Sequence, residues 1–414
     1  MNKKILIALG IIVGLIIIGL VIFWFVYLGK PIPPAAESIF PGGLFPSAEK
    51  KTIGQIAPGS VVNPPPTIQA GQQKPLTQLT EKAVAGATFI EKIKEDKTKI
   101  GVARYLEKAT GHIYDIDLPA GEAGPQGGIS EIISNTTIPN IFEAYWSPDG
   151  KQVLTRYTEN NETGIEDPVR NFSLISIATT SSAGIFLLST IRAVASSPKE
   201  NKIFYLMPWE ESYLGITASF EDKKQKQVLT TSFGEWAVTW PSERVITLLS
   251  KPSATINGYL YKLDPITGSF EKILADIPGL TGLMSPGGES VFYSQGGYSG
   301  IETGLYDVAK KTSIPFFGLI TLPEKCVWSK LNKGIIYCAV PSILPSGRYP
   351  DDWYMGLISF ADRIWKIDTI KGTTEIISTE SGSEFDFINL FLSKNENYLF
   401  FQNKKDGTLW SLQL

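Results

Sequence analysis

Trp146-Ser147-Pro148-Asp149-Gly150-Lys151-Gln152-Val153-Leu154 is a tight turn feeding a strand. Pro148 fixes φ, Gly150 relieves the strained corner, and Val153-Leu154 begin an aliphatic run. The same shape returns downstream. Ser196-Ser197-Pro198 stands before Lys202-Ile203-Phe204-Tyr205, and Thr239-Trp240-Pro241 before Val245-Ile246-Thr247-Leu248. Met284-Ser285-Pro286-Gly287-Gly288 precedes Val291-Phe292-Tyr293, Trp328-Ser329 precedes Gly334-Ile335-Ile336-Tyr337, and Leu392-Ser393 precedes Tyr398-Leu399-Phe400-Phe401. Successive second positions lie 50, 43, 45, 44 and 64 residues apart.

Each repeat carries a second echo further on, such as Gly258-Tyr259-Leu260-Tyr261-Lys262-Leu263-Asp264, Gly304-Leu305-Tyr306-Asp307 and Arg363-Ile364-Trp365-Lys366-Ile367-Asp368. Gly111-His112-Ile113-Tyr114-Asp115-Ile116-Asp117 supplies one more copy near the start, which makes seven. Alternating aromatic and β-branched residues around a tight turn describe strands that bury a face against a neighbour, and the period is that of propeller blades. The fold class read here is all-β: a seven-bladed β-propeller preceded by a single transmembrane α-helix.

These repeats resemble those of TolB-type and WD40-like (PD40) β-propellers, whose mark is a Trp-Ser-Pro-Asp-Gly turn followed by an aliphatic strand and a Leu-Tyr-x-x-Asp strand. The resemblance covers roughly residues 75–414. Only the second blade keeps the full turn, and the sixth and seventh have lost the proline. The resemblance implies the fold; the repeat family is too diverse in function to imply an activity.

The last repeat offers strands near 387–392, 398–402 and 408–413, and then the chain ends, so its fourth strand is missing. Pro75-Leu76-Thr77-Gln78-Leu79-Thr80, just ahead of the first inner strand at 84–90, has the length and pattern to supply it. An N-terminal strand closing the C-terminal blade pairs both open edges and locks the circle.

Upstream, 24 uncharged and mostly aliphatic residues run from 5 to 28. At 1.5 Å per residue they cover about 36 Å, enough to cross a hydrocarbon core with some tilt. Lys3 and Lys4 before the span against Lys30 after it predict a cytoplasmic N-terminus and an extracytoplasmic remainder. Residues 1–30 are therefore read as a signal anchor, 31–74 as a proline-rich linker and 75–414 as the propeller domain. Pro31, Pro33, Pro34, Pro41, Pro46, Pro58 and Pro64-Pro65-Pro66 remove backbone donors and favour polyproline II in that linker.

The chain has 38 basic and 41 acidic residues; without Lys3, Lys4 and Lys30 it keeps 35 basic against the same 41 acidic, a balance that does not attract nucleic acid. His112 is the only histidine, and two cysteines far from it give no metal-ligand spacing. No catalytic triad, nucleotide loop or calcium loop is present, so no enzyme activity, cofactor or metal is expected. Glu143, Glu235, Glu324 and Asp386 lie near the starts of inner strands, where a glycosidase-like propeller would keep its carboxylates; charged residues also line every propeller channel. Cys326 and Cys338 fall on adjacent strands of the sixth blade, placed for a disulfide or as two buried thiols.

Two loops exceed the period: 158–170 in the second blade and 341–361 in the sixth. The latter reads Gly347-Arg348-Tyr349-Pro350-Asp351-Asp352-Trp353-Tyr354-Met355. Aromatic residues there suit a docking surface, with Tyr298, Tyr349, Asp351, Asp352, Trp353 and Tyr354 as its members, or a self-packed plug at the channel mouth. The function expected is a membrane-anchored binding platform in the cell envelope whose partner is another envelope or surface protein. Recognition of a cell-wall or surface glycan and a glycosidase-like activity in the channel are the alternatives.

Overall fold

The computed structural model describes residues 67–74, 76–118, 130–159, 169–177, 182–298, 300–378 and 385–414. The apolar span 5–28 and the linker as far as residue 66 lie outside them. No described helix is long and apolar enough to cross a membrane.

Among the described residues the strands form seven sheets, each built on four antiparallel strands or three with a fourth from the N-terminus, and one carrying an added parallel strand. They are blade 1 (84–134), blade 2 (141–187), blade 3 (193–231), blade 4 (236–278), blade 5 (281–315), blade 6 (326–378) and blade 7 (387–413). The second strands show why the sequence reads as it does. Val245–Ser250 and Tyr398–Asn403 are buried at every position. A strand packed on both faces reads as a continuous apolar run, whereas an outer strand such as Lys226–Thr231 keeps polar residues toward water.

Seven hydrophobic clusters seal the seven interfaces between successive blades. Phe204, Leu206, Trp240 and Leu248 join blades 3 and 4, Leu260, Leu280, Val291 and Tyr293 join 4 and 5, and Phe292, Trp328 and Ile336 join 5 and 6. The same pattern continues through Tyr337, Phe387 and Phe401, and it joins blade 7 back to blade 1 through Val84, Tyr105, Tyr398 and Phe400. Leu106, Ile141 and Val153 fill the next interface, and Leu154, Val194 and Tyr205 the one after it.

The repeated turn is held mainly by its serine. Ser147 Oγ accepts from Gln152 N at 2.9 Å and donates to Asp149 at 2.7 Å, and Gly150 takes φ +66°. A Cβ on Gly150 would meet Ile90 of blade 1 at 2.3 Å, so glycine is required for close blade approach as well as for φ. Blades 6 and 7, which lack the proline, keep the hydroxyl: Asn332 N donates to Ser329 Oγ at 2.7 Å and Tyr398 N to Ser393 Oγ at 3.0 Å. Glu396 of blade 7 stands where blade 2 has its glycine and reaches across to the sixth-blade turn. Its carboxylate accepts from Ser329 Oγ at 2.5 Å, Lys330 N at 2.6 Å and Leu331 N at 3.1 Å.

The ring closes through the N-terminal strand. Leu76–Gln78 pairs antiparallel with Leu409–Gln413, Leu76 opposite Leu412 and Gln78 opposite Trp410. Leu79 N and Leu409 N then exchange bonds with Leu409 O at 2.8 Å and Thr80 Oγ1 at 2.9 Å. One boundary is corrected. Thr67–Lys74, assigned from sequence to the linker, is a strand that adds in parallel to Thr373–Ser378 and makes blade 6 five-stranded. Its sequence, Thr-Ile-Gln-Ala-Gly-Gln-Gln-Lys, has little apolar alternation, so what defines it is the free edge of a neighbouring sheet.

Deleting Pro75–Thr80 should open the edge of blade 7 and remove Leu79 and Thr80 from the closing core. A fall of at least about 5 °C in the melting temperature, with aggregation, is expected in a thermal scan of the full chain. An unchanged transition would refute closure by this strand.

Candidate functional site

The connections between second and third strands, and the crossovers between blades, emerge at one end of the propeller because the strands of each blade alternate in direction. The 341–361 insert lies at that end. Its one-turn helix, Asp351–Tyr354, reaches blade 4, where Asp351 accepts from Ala254 N at 3.0 Å and Ser253 Oγ at 3.3 Å. On blade 5, Tyr349 N donates to Gly297 O at 3.1 Å, and a Cβ on Gly296 would meet Tyr349 O at 2.2 Å. Asp352 folds the loop back by accepting from Arg348 N at 2.7 Å.

Of the docking and plug readings, Tyr349 and Trp353 follow the plug: they are 0% and 4% exposed, so neither is a surface anchor. They pack with Ile301, Leu322 and Phe360 in a small core of their own. An aromatic-rich insert of this length can bury its rings against the blade tops, and of the two readings the plug is the one adopted. Tyr298 and Tyr354 remain at the surface, 76% and 41% exposed.

Beneath the insert lies a cluster that local sequence patterns do not flag. Lys325, Asp362 and Asp386 are all 0% exposed. Lys325 Nζ lies 2.7 Å from Asp362 Oδ2 and 2.5 Å from Asp386 Oδ1, and donates to Phe387 O at 2.8 Å. The ammonium also sits 5.2 Å from the Trp353 ring centroid and 5.0 Å from that of Phe360. Asp386 ties the insert down: Trp353 Nε1 and Ser359 Oγ each donate to its Oδ2 at 3.0 Å, and Phe360 N does so at 3.1 Å. Lys404 of blade 7 closes the other side, donating to Trp353 O and lying 4.0 Å from the indole centroid.

Burial pushes the Asp362 carboxyl up to about 6 against the pull of Lys325. Burial acts on Asp386 too, but Lys325 and the donors from Phe360 and Trp353 hold it below the usual carboxylate value. Asp386 thus contributes stability above the ordinary carboxylate range that is lost on acidification, while ionised Asp362 costs stability above about pH 6 that protonation relieves. Of the cluster's members the sequence singled out Asp386 alone, as a carboxylate near the start of an inner strand; Lys325, beside Glu324 and Cys326, carried no local sign of burial.

The other carboxylates each have their own partner. Glu143 Oε2 accepts from Arg156 Nη1 at 2.7 Å and Tyr145 OH at 2.9 Å. Glu235 is paired with Lys251 at 2.6 Å near the surface, and that hydrogen bond lowers its pKa. Glu324 accepts from Tyr354 OH, its Oε2 is buried without a hydrogen-bond partner, and burial raises its pKa. Asp386 is consumed in positioning the insert. Cys326 and Cys338 face one another across the first two strands of blade 6 and are joined in a disulfide. Among the described residues no group of three or more His, Cys, Asp or Glu is placed to hold a metal ion.

The large apolar side chains left exposed are unevenly distributed. Of the 18 found among the described residues, 10 lie on the crossover end: Leu188, Trp209, Phe233, Ile256, Tyr298, Ile320, Ile343, Tyr354, Met355 and Leu357. They follow the loops of blades 2 to 6 in order, so they form an arc across one face. Met355 and Leu357, 56% and 70% exposed, follow the buried Trp353 within the insert.

No family model matches the chain, and no curated protein matches it. Similar solved structures include TolB from Acinetobacter baumannii, with TM-score 0.39 and 13% identity over 66% of this chain and 61% of that one. A puromycin hydrolase gives TM-score 0.46 and 13% identity over 80% and 52%, so the chain spans less than two thirds of either protein. The β-propeller domain of the trilobed protease from Pyrococcus furiosus gives TM-score 0.44 and 11% identity over 79% and 97%. These likenesses assign no activity to this chain.

Trp353→Ala should remove a buried indole and one donor to Asp386, at a cost of about 3–5 kcal/mol by denaturant titration. A negligible change would mean the insert is not anchored through this ring. Lys325→Met strands two buried carboxylates and should cost about 3–5 kcal/mol near pH 7.5. Without the cation both carboxyls favour the protonated form in the folded state, so the deficit should shrink as the pH falls toward about 5. A deficit constant across that range would show that charge balance is not the role of Lys325.

Proposed function

We propose that this chain is a binding scaffold of the cell envelope: anchored through residues 5–28, with its N-terminus cytoplasmic and its propeller outside, it engages another envelope or surface protein through the crossover end. The observation that carries this reading is the arc of exposed apolar side chains on that end, mounted in part on a rigidly seated insert. Exposed apolar residues grouped on one face of a soluble domain are costly unless they are covered in use. Aromatic anchors concentrate binding energy, and Trp209 and Tyr298 stand exposed on this end, Trp209 followed in the chain by Glu210 and Glu211. The buried half of the insert fixes the exposed half, so Met355 and Leu357 are presented without an ordering cost at the moment of binding. No enzymatic role is proposed, because each candidate carboxylate is engaged by a different neighbour.

A photo-cross-linking residue placed at Leu357 or Tyr298 of the full chain in intact cells should give discrete adducts with a second protein. The same residue at Leu331 or Ile266, exposed on the opposite end, should not. Equal adducts from both ends would remove the directional claim, and none from the crossover end would refute the docking face. Protease added outside spheroplasts should release the propeller by cutting between residue 31 and residue 66; full protection would reverse the proposed orientation.

A further inference from the structure

The inner strands of blades 7, 1 and 2 line a hollow of about 420 Å³ near the ends at which the crossovers enter them, and none of the ten exposed side chains of the crossover arc lines it. Its wall on blade 1 is the small-residue ribbon Ala85-Gly86-Ala87, which leaves the space open. Its other walls carry Phe142, Glu143 and Asn389. Phe142 is 40% exposed although it stands on an innermost strand. Phe391, stacked on Phe400 at 4.8 Å, presents a second ring.

The polar groups converge with a definite sense. Glu143 is the only carboxylate in the lining. Arg156 Nη1 and Tyr145 OH both bond to its Oε2, so among the described residues Oε1 is left as an acceptor. Asn389, held at φ +53° where the register of its strand shifts, donates through Nδ2 to Gln402 Oε1 at 2.5 Å. Gln402 in turn donates to Val84 O at 3.2 Å. The Asn389 carbonyl oxygen is then a second acceptor. The Arg156 guanidinium, 5.5 Å from the Phe142 ring centroid, cancels the charge of Glu143 and repels a cation. Two acceptors in a site without net charge select a ligand that donates hydrogen bonds and is itself neutral. Two phenyl faces, negative at their centres, select one whose C–H bonds can lie flat against them.

We infer that this hollow is a binding site for a neutral pyranose: a sugar ring whose hydroxyls donate to Glu143 and Asn389 while its C–H face rests on Phe142. The volume falls within the range of small-molecule sites and exceeds what one such ring fills. No bond is made or broken, since no second carboxylate lines the hollow to work beside Glu143.

The test uses the full chain in a zwitterionic detergent, chosen because glycoside detergents would compete. The probes are the methyl glycosides of glucose, galactose and N-acetylglucosamine, with n-butylammonium as a cationic control, followed by saturation-transfer NMR. At least one glycoside should bind saturably below about 10 mM, with the strongest transfer to its ring C–H protons. Phe142→Ala should weaken that binding at least about tenfold, with the chain still folding cooperatively in a thermal scan because no buried core cluster includes this ring. Glu143→Gln should weaken it as well; should that variant fail to fold, Phe142→Ala carries the test alone. Absence of saturable glycoside binding, binding unaffected by Phe142→Ala, or preference for the ammonium probe would each overturn the assignment.

Discussion

The structure depends on one edge being covered. A circle of seven sheets made from a linear chain must join its last blade to its first, and blade 7 has only three strands of its own. Leu76–Gln78 supplies the fourth, and its continuation through Leu79 and Thr80 enters the interface between blades 7 and 1. Without it, the outer strand of blade 7 would present an unpaired edge. The closing interface would also lose part of its core. Pairing across the length of the chain thus holds a ring whose other contacts are between neighbours. The parallel strand Thr67–Lys74 extends the same logic to blade 6, so two N-terminal strands clasp two C-terminal blades.

A second constraint is electrostatic. Lys325 is buried with two aspartates, and a cation without water must be balanced at short range. Asp362 opens a strand of blade 6, Asp386 precedes the inner strand of blade 7, and the insert supplies Trp353, Ser359 and Phe360 N to complete the shell. The same cluster therefore holds two blades and the insert together. Its members are separated by up to 61 positions in the chain, yet each satisfies a group that another member leaves open. That mutual satisfaction explains how a loop of 21 residues can be fixed without regular structure beyond one helical turn.

Seating the insert divides its aromatic residues into two kinds. Tyr349 and Trp353 are spent on packing; Tyr354, Met355 and Leu357 are left for solvent or a partner. A rigid base next to exposed apolar residues is a sound arrangement for docking, because little conformational freedom remains to be lost on association. The hollow lined by blades 7, 1 and 2 is built differently. Small residues on blade 1 make its space, and a neutralised carboxylate and an amide make its polarity.

The amino-acid sequence by itself determined the blade count, the turn chemistry and the closing strand. These rest on local rules that repeat: a serine hydroxyl and a glycine at a tight corner, and apolar runs where a strand is packed on both faces. It also showed which cysteines would face one another, since Cys326 and Cys338 stand on the two arms of one hairpin. It did not determine that Trp353 is buried. An aromatic residue in a loop has the same local signature whether it meets water or a buried lysine, and Lys325 lies 28 positions away on another element. Nor could it reveal that Thr67–Lys74 is a strand, because its pairing depends on an exposed edge offered by blade 6. The tertiary structure alone brought Glu143, Asn389 and Phe142 around one hollow. Convergence of residues from blades 7 and 2 is a property of ring closure, and no period within a single repeat encodes it.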